Sequence, residues 1–114
     1  MLNPDSGFDQ PREANGTFAG NFSPASAPFV AATGFVEGDS WIYTGMVPFN
    51  IAGLAAAKGG DAAFATYLNT TLSSFRNAHG YSYVGNEPSI GLLWEYDYIE
   101  IGRASCRERV FNWV

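Results

Sequence analysis

Two helix-forming stretches on either side of Gly59-Gly60 limit the possible folds of this chain more than any other feature. The first stretch, FNIAGLAAAK, follows Pro48, which suits the first turn of a helix because its missing N–H costs nothing there. The second stretch has Asp61 at the expected N-cap position, and its apolar side chains then recur on one face over roughly four turns. The pattern predicts an antiparallel pair of helices joined by a tight turn. The apolar side chains of the second helix are Phe64, Tyr67, Leu68, Leu72 and Phe75.

Long loops are predicted before and after this helical pair. Residues 2–34 are dense in Gly, Pro, Asn, Ser and Asp and show neither a helical nor an alternating period, which is typical of a long irregular loop. Residues 77–87 form a second loop, and Pro88 predicts a third helix through SIGLLWEYDYI. We therefore expect a mainly α chain with long irregular loops. One face of the third helix would present Leu92, Tyr96 and Ile99.

The charge of the chain restricts its partners. Six basic residues stand against eleven acidic ones, for a formal net charge of −5. This balance argues against nucleic-acid phosphate and against an anionic membrane surface, and it favours a neutral or cationic ligand. No stretch approaches the ~20 apolar residues of a membrane span, so we expect no membrane partner.

The stretch EIGRASCRERV, residues 100–110, resembles a translated sequencing adapter. It carries three of the six basic residues and the only cysteine, Cys106. The alternative is an ordinary charged C-terminal helix. We predict that residues 100–114 are a non-native, adapter-derived tail and that Ile99 is the last native residue of a truncated segment.

Two motifs place a carboxylate beside glycine and aromatic residues at a loop-to-helix junction, where catalytic groups often collect. They are FVEGDSWIYTGMVP at residues 35–48 and GNEPS at residues 85–89. Glu37 and Glu87 could act as an acid and base pair, or one of them could bind a metal beside the amide oxygen of Asn86, which suits a hard cation such as calcium. The alternative is that Asn86 caps the third helix and Glu87 lies near its positive end.

Four pieces of the chain, taken in order, resemble glycoside hydrolase family 92, the calcium-dependent exo-acting α-mannosidases. They are NPDSGFDQPREANGTF, FVEGDSWIYTGMVPFNIAGLAAAKGG, the amphipathic helix, and GNEPS followed by WEYDYI. The resemblance covers nearly all of residues 2–99 and implies a fragment of the (α/α)6 helical barrel of that family. Residues 1–99 would then be a partial catalytic domain, with the loop and acid motif in 1–47 and the helices and GNEP motif in 48–99.

The resemblance also implies roles for particular residues. Glu37 matches the expected general acid, and Asn86 and Glu87 match positions at the mannose and calcium site. Trp41 and Tyr43 are candidates for a wall on which the sugar stacks, although isolated aromatic residues are more often part of a core. The implied reaction is inverting removal of terminal mannose from glycans by a secreted or periplasmic enzyme.

The second carboxylate of an inverting reaction is not expected in this chain, because the D-x-D type motif of the family lies downstream of Ile99. Glu95 and Asp97 align with the helix that follows GNEP, and we interpret them as solvated acids on the helix surface. We therefore expect no turnover from the chain alone. A non-catalytic carbohydrate-binding or helical interaction segment is the alternative function.

Some residues differ from the family pattern. The chain has Phe49-Asn50 after Met-Val-Pro and Ile90-Gly91 after Ser89, where the family often has His-Asp and His-His. The linkage preference therefore stays open. We also expect poor stability in isolation, since an apolar face such as that of Phe64 and Phe75 would lack its partner helices.

Overall fold

The computed structural model describes residues 1–25, 34–36, 38–73, 82 and 85–99 of the chain. Most of the regular secondary structure in these residues is helical, which agrees with the prediction of a mainly α chain; the helical barrel stays a prediction. The predicted tail, residues 100–114, lies outside the described residues. The elements are β1 (Leu2–Asn3), β2 (Phe8–Asp9), α1 (Ser40–Thr44), α2 (Ile51–Ala57), α3 (Asp61–Leu72), α4 (Glu87–Leu92) and a 3-10 helix (Glu95–Tyr98).

The predicted pair of helices is confirmed as α2 and α3, which pack against each other across the Gly59-Gly60 turn. Both glycines are in the left-handed region, with φ of 103° and 98°, where residues with a Cβ are strained. Gly60 also occupies the N-cap position of α3, and Asp61 is the first helical residue. The prediction of Asp61 as the N-cap was therefore wrong, because the turn needs its second glycine at that position.

The start of α2 also differs from the prediction. Asn50 is the N-cap, and its Oδ1 accepts a hydrogen bond of 3.1 Å from the backbone N–H of Gly53. An asparagine in this position satisfies one of the N–H groups that a helix leaves unpaired at its start. The helix consequently begins at Ile51, after Pro48.

The core lies between α2, α3, α4 and the 3-10 helix. Phe64 and Leu68 of α3 are fully buried, and Tyr67 is 4% exposed. The expectation that this face lacks partner helices is therefore wrong for these three residues, and low stability no longer follows from them; Phe75 lies outside the described residues. The core cluster consists of Ile51, Leu54, Ala55, Phe64, Ala65, Tyr67, Leu68, Leu92, Tyr96 and Ile99.

A short antiparallel hairpin forms within the stretch predicted to be irregular. Strands β1 and β2 pair with Leu2 opposite Asp9 and Asn3 opposite Phe8. The backbone of Asp9 joins this hairpin to α1, because its N–H donates to Thr44 Oγ1 at 2.8 Å and its carbonyl accepts from the hydroxyl of Ser40. Residues 2–10 therefore form an ordered part of the fold, although two-residue strands leave no alternating pattern in the sequence.

The third predicted helix divides into α4 and the 3-10 helix. After Gly91 the backbone hydrogen bonds span three residues, as in the bonds from Trp94 N–H to Gly91 C=O and from Asp97 N–H to Trp94 C=O. This tighter winding changes which side chains point inward. Leu92, Tyr96 and Ile99 are buried as predicted.

None of the helices in the described part of the chain combines the length and the apolar character that crossing a bilayer requires.

Candidate functional site

Helix α1 begins directly after the predicted general acid, and Asp39 fixes its start. Asp39 Oδ1 accepts a hydrogen bond of 3.2 Å from the N–H of Ile42, and the residue is 3% exposed. Burial raises the pKa of Asp39 from 3.8 to about 6, although hydrogen bonds from backbone N–H groups lower it in part. A buried carboxyl therefore anchors the helix two residues after Glu37.

Tyr43 of α1 packs against the residues that flank Glu37. Its hydroxyl donates to the carbonyl oxygen of Val36 at 2.6 Å, and its ring stacks on Phe35 with 5.7 Å between the centroids. On the other side of Glu37, a Cβ added to Gly38 would lie 2.9 Å from Tyr43 Cε2. Tyr43 thus holds the chain on both sides of Glu37, which itself lies outside the described residues.

Trp41 belongs to an aromatic cluster at the edge of the core. Its ring meets Phe8 edge to face at 4.6 Å between centroids and lies nearly parallel to Tyr67 at 5.9 Å. Trp41 is half-buried and lines a cavity of about 510 Å³ beside the N-terminal hairpin. The ring is therefore both a packing element and part of a cavity wall.

Asn86 and Glu87 are at the start of α4. Asn86 occupies the N-cap position, but its side chain makes no capping hydrogen bond there; Glu87 is the first helical residue and is exposed. The sequence alternative in which the side chain of Asn86 caps this helix is therefore not what the structure shows. Glu87 does lie near the positive end of the helix, as that alternative expected.

The helices that carry the two motifs are in direct contact. Gly45, the C-cap of α1, lies so close to α4 that an added Cβ would be 2.0 Å from Leu92 Cδ2 and 2.9 Å from the hydroxyl of Tyr67. Only a residue without a side chain fits this contact, because the leucine is fully buried. The fold thus brings the segment after Glu37 and the segment after Glu87 together at one point of the core.

Glu95 is not the solvated acid that the sequence predicted. It is 3% exposed, and its Oε2 has no hydrogen-bond partner in the described part of the chain. Burial raises the pKa of Glu95 from 4.5 to about 8, which keeps the carboxyl protonated at neutral pH. Asp97 is exposed, as predicted.

A second ionisable group is perturbed beside the cavity. The Lys58 ammonium lies 4.1 Å from the ring centroids of both Phe8 and Tyr67, and it donates to the carbonyl oxygen of Gly7 at 2.6 Å. Burial lowers the pKa of Lys58 from 10.5 to about 8, and the charge of Asp9 opposes this shift. Lys58 therefore ties the N-terminal hairpin to the end of α2.

The sequence did not single out Asp39, Lys58 or the burial of Glu95. For Asp39 a signal was present, since an aspartate followed by Ser-Trp-Ile is a plausible helix start. Lys58 and Glu95 were missed because their environments depend on tertiary structure. The aromatic rings around the lysine come from distant parts of the chain, and the glutamate is buried because it lies in a 3-10 helix that packs on the core.

The described residues offer only part of a metal site. No group of three or more His, Cys, Asp or Glu side chains that could hold a metal ion is found among them. The amide oxygen of Asn86 and the exposed carboxylate of Glu87 are nevertheless the oxygen donors that calcium takes in proteins. These two residues could supply two of the oxygen ligands of a calcium ion, and the other ligands would have to come from elsewhere.

Comparison with protein families matches residues 1–109 to the glycosyl hydrolase family 92 catalytic domain. The matched range extends past Ile99 into the stretch EIGRASCRERV, whose origin stays a prediction. No curated protein matches the chain.

Proposed function

We propose, because the chain belongs to glycosyl hydrolase family 92, that it forms part of the active site of a calcium-dependent exo-α-mannosidase. The family membership implies glycoside hydrolase activity in the enzyme and a glycan as its substrate. Terminal mannose is the sugar proposed to be released, with the rest of the glycan as the leaving group. The enzyme is proposed to be secreted or periplasmic. The observation that carries the proposal is the match across both the Glu37 motif and the GNEPS motif.

Glu37 is the proposed general acid. Its carboxyl would protonate the glycosidic oxygen as the bond to the anomeric carbon breaks. The contacts of Tyr43 with Val36 and Gly38 support this role, because they fix the residues on both sides of Glu37. An acid must be held within hydrogen-bond reach of the oxygen that it protonates. Inversion needs a second carboxylate about 6.5 to 9.5 Å from the acid, with a water molecule between it and the sugar. The resemblance implies that a D-x-D type motif downstream of this segment would supply that carboxylate.

Asn86 and Glu87 are the proposed calcium ligands in this chain. When bound, calcium would polarise and position the hydroxyls of the terminal mannose. Asn86 would also contact the sugar, and Trp41 and Tyr43 stay the candidates for its stacking wall. The contact of Gly45 with Leu92 supports this arrangement, since it joins the segments that carry the acid and the calcium ligands.

The metal part of the proposal is tested by calorimetric calcium titration of the 114-residue chain and its Glu87→Gln variant. Loss of one carboxylate ligand should weaken calcium binding at least tenfold. Asp97→Asn, which removes an exposed carboxylate of the 3-10 helix, is the matched control and should bind calcium as the wild type does. Equal affinity of wild type and Glu87→Gln would remove Glu87 from the metal site.

The catalytic part is tested with a polypeptide that carries this segment together with the downstream acidic motif. Release of mannose from an α-linked mannobiose should require calcium, and Glu37→Gln should lower kcat by about 10²- to 10⁴-fold. On an aryl mannoside with a good leaving group, Glu37→Gln should lower kcat by a smaller factor, because that leaving group needs little protonation to depart. Full activity of Glu37→Gln on mannobiose would refute the assignment, and glycan binding without hydrolysis would favour the non-catalytic alternative.

A further inference from the structure

Three asparagines of the chain stand in the Asn-x-Ser/Thr pattern of acceptors for N-linked glycans. The pattern is short and frequent by chance, so the sequence does not separate an acceptor from a coincidence. The structure does separate them, because an N-linked glycan is bulky and its asparagine has to stay at the surface of the folded protein. The three patterns are Asn15-Gly16-Thr17, Asn21-Phe22-Ser23 and Asn69-Thr70-Thr71.

The fold uses both ends of the pattern at Asn69, which lies within α3. Asn69 Oδ1 accepts a hydrogen bond of 2.8 Å from the hydroxyl of Tyr96, a residue of the core cluster. Thr71 is fully buried, and its hydroxyl donates to the carbonyl oxygen of Tyr67 at 2.7 Å. A glycan on Asn69 would therefore disrupt the packing of Tyr96.

Asn21 is exposed, but the backbone around it is restricted. Its φ of 54° is in the left-handed region, which residues other than glycine seldom adopt. Pro24 directly follows the pattern and disfavours a helical backbone at Ser23. An enzyme that has to seat these three residues in its own site meets a restricted conformation at both ends.

Asn15 is at the tip of an exposed turn. Every residue in the range 12–17 is exposed. The base of the turn is closed by a β-bridge between Arg12 and Phe18, and the guanidinium of Arg12 lies 4.4 Å from the centroid of the Phe18 ring. The turn is therefore held by residues outside the acceptor pattern, and a group added to Asn15 would extend into solvent.

The side chain of Asn15 has the atom that carries the sugar available for reaction. Its Oδ1 accepts from the N–H of Thr17 at 3.0 Å and from the Thr17 hydroxyl at 2.7 Å. Its Nδ2 makes no hydrogen bond within the described part of the chain. Thr17 thus orients the carboxamide through its oxygen and leaves the nitrogen accessible.

From this geometry we propose that Asn15 is an acceptor site for an N-linked glycan and that Asn69 is not. The donor is a lipid-pyrophosphate-linked oligosaccharide. Asn15 Nδ2 attacks C1 of the donor sugar, so that an N–C bond forms and the bond from C1 to the pyrophosphate oxygen breaks. The lipid pyrophosphate leaves, and the nitrogen gives up one proton to a base of the transferase. The proposal rests on the proposed secretion of the enzyme but not on its mannosidase activity.

The test is expression of the 114-residue chain in yeast behind a supplied signal peptide, so that the result does not depend on the natural localisation. The chain is recovered from the medium and from the secretory compartments. Peptide N-glycosidase in water enriched in heavy oxygen then converts each occupied asparagine into a mass-labelled aspartate, which fragment-ion mass spectrometry locates. We expect the label at Asn15 and none at Asn69 of the secreted chain.

Two substitutions of Thr17 show whether the pattern at Asn15 is responsible. Thr17→Ala should abolish the label at Asn15, and Thr17→Ser, which keeps a hydroxyl, should retain it. Thr17 is exposed, and circular dichroism checks that both variants keep the fold.

Absence of the label at Asn15 of the wild type would overturn the proposal, as would a label at Asn15 that persists in Thr17→Ala. A label at Asn69 of the folded, secreted chain would overturn it as well. Failure of this test would leave the proposed mannosidase site unaffected, because neither the calcium titration nor the Glu37→Gln experiment involves Asn15.

Discussion

Replacement of Glu95 by glutamine should change the pH dependence of stability. The carboxyl of Glu95 is buried and its Oε2 lacks a hydrogen-bond partner among the described residues, so the charged form is strongly disfavoured in the folded state. Glutamine has nearly the same shape and cannot ionise. Three other groups among the described residues have a pKa shifted by burial: Tyr67, whose pKa is raised by burial and then by Glu95, Asp39, and Lys58, whose pKa is lowered.

The magnitude follows from the shift in pKa. Burial raises the pKa of Glu95 from 4.5 to about 8, and at 1.36 kcal/mol per unit this is roughly 5 kcal/mol. Because the folded state holds the proton more tightly than the unfolded state, the contribution is fully present below pH 4.5 and is lost as the pH rises through about 8. Typical domains are stable by only about 5 to 15 kcal/mol, so this loss is a large fraction of the total.

The assay is urea denaturation followed by circular dichroism between pH 4 and pH 9. Wild type and Glu95→Gln should have similar free energies of unfolding at pH 4, and the variant should be more stable by several kcal/mol at pH 9. Half of the calculated effect would already raise Tm by about 10 °C in a chain of this size. The variant should keep the downward slope that ends near pH 6, because the pKa of Asp39 is raised to about 6 by burial. Above about pH 8 both proteins should gain stability, because burial lowers the pKa of Lys58 to about 8 and the unfolded state then binds more protons.

The control is Asp97→Asn, two residues further along the 3-10 helix and exposed, which should leave the pH dependence unchanged. Tyr67 stays protonated over the whole range because its pKa is raised, so it adds no slope. If Glu95→Gln and wild type lose stability in parallel between pH 6 and pH 9, the carboxyl is not buried in the way described, and the reasoning fails.

Two further substitutions test the contacts around the motifs. Gly45→Ala would force a methyl group into the contact between α1 and α4 and should lower the free energy of unfolding by about 1 to 3 kcal/mol in denaturant titrations. Gly91→Ala, where an added Cβ meets nothing within 4 Å, should be neutral or stabilising, and equal losses in both variants would contradict the described packing. Tyr43→Phe should cost about 1 kcal/mol through loss of the hydrogen bond to Val36 and should speed amide hydrogen exchange at residues 35–38. Tyr98→Phe, at an exposed position, should change neither quantity.

The sequence predicted those parts of the fold that depend on local signals. The two glycines at residues 59 and 60 end one helix and begin the next, and Leu92, Tyr96 and Ile99 are buried as their spacing indicated. Helix α1 and the N-terminal hairpin were missed, because five and two residues are too short to show a period.

The candidate site was predictable in its motifs but not in its surroundings. The burial of Glu95 follows from the change to 3-10 winding after Gly91, and an α-helical projection of the sequence cannot show it. Tyr43 was predicted as a stacking residue for sugar, and the structure adds contacts with Val36 and Gly38 that a sequence motif does not encode. Its role towards the sugar stays a prediction.

The hydrogen bond from Lys58 to Gly7 also has a consequence for the order of folding. It joins residues 51 positions apart, whereas α2 and α3 meet across a turn of a few residues. Closing a long loop costs more entropy than closing a short one, although the cost grows only with the logarithm of the length. The pair of helices α2 and α3 can therefore form early and hold the Lys58 ammonium in place. The N-terminal hairpin then docks onto this pair in a late step. The rate of that step should fall if the intervening chain is lengthened.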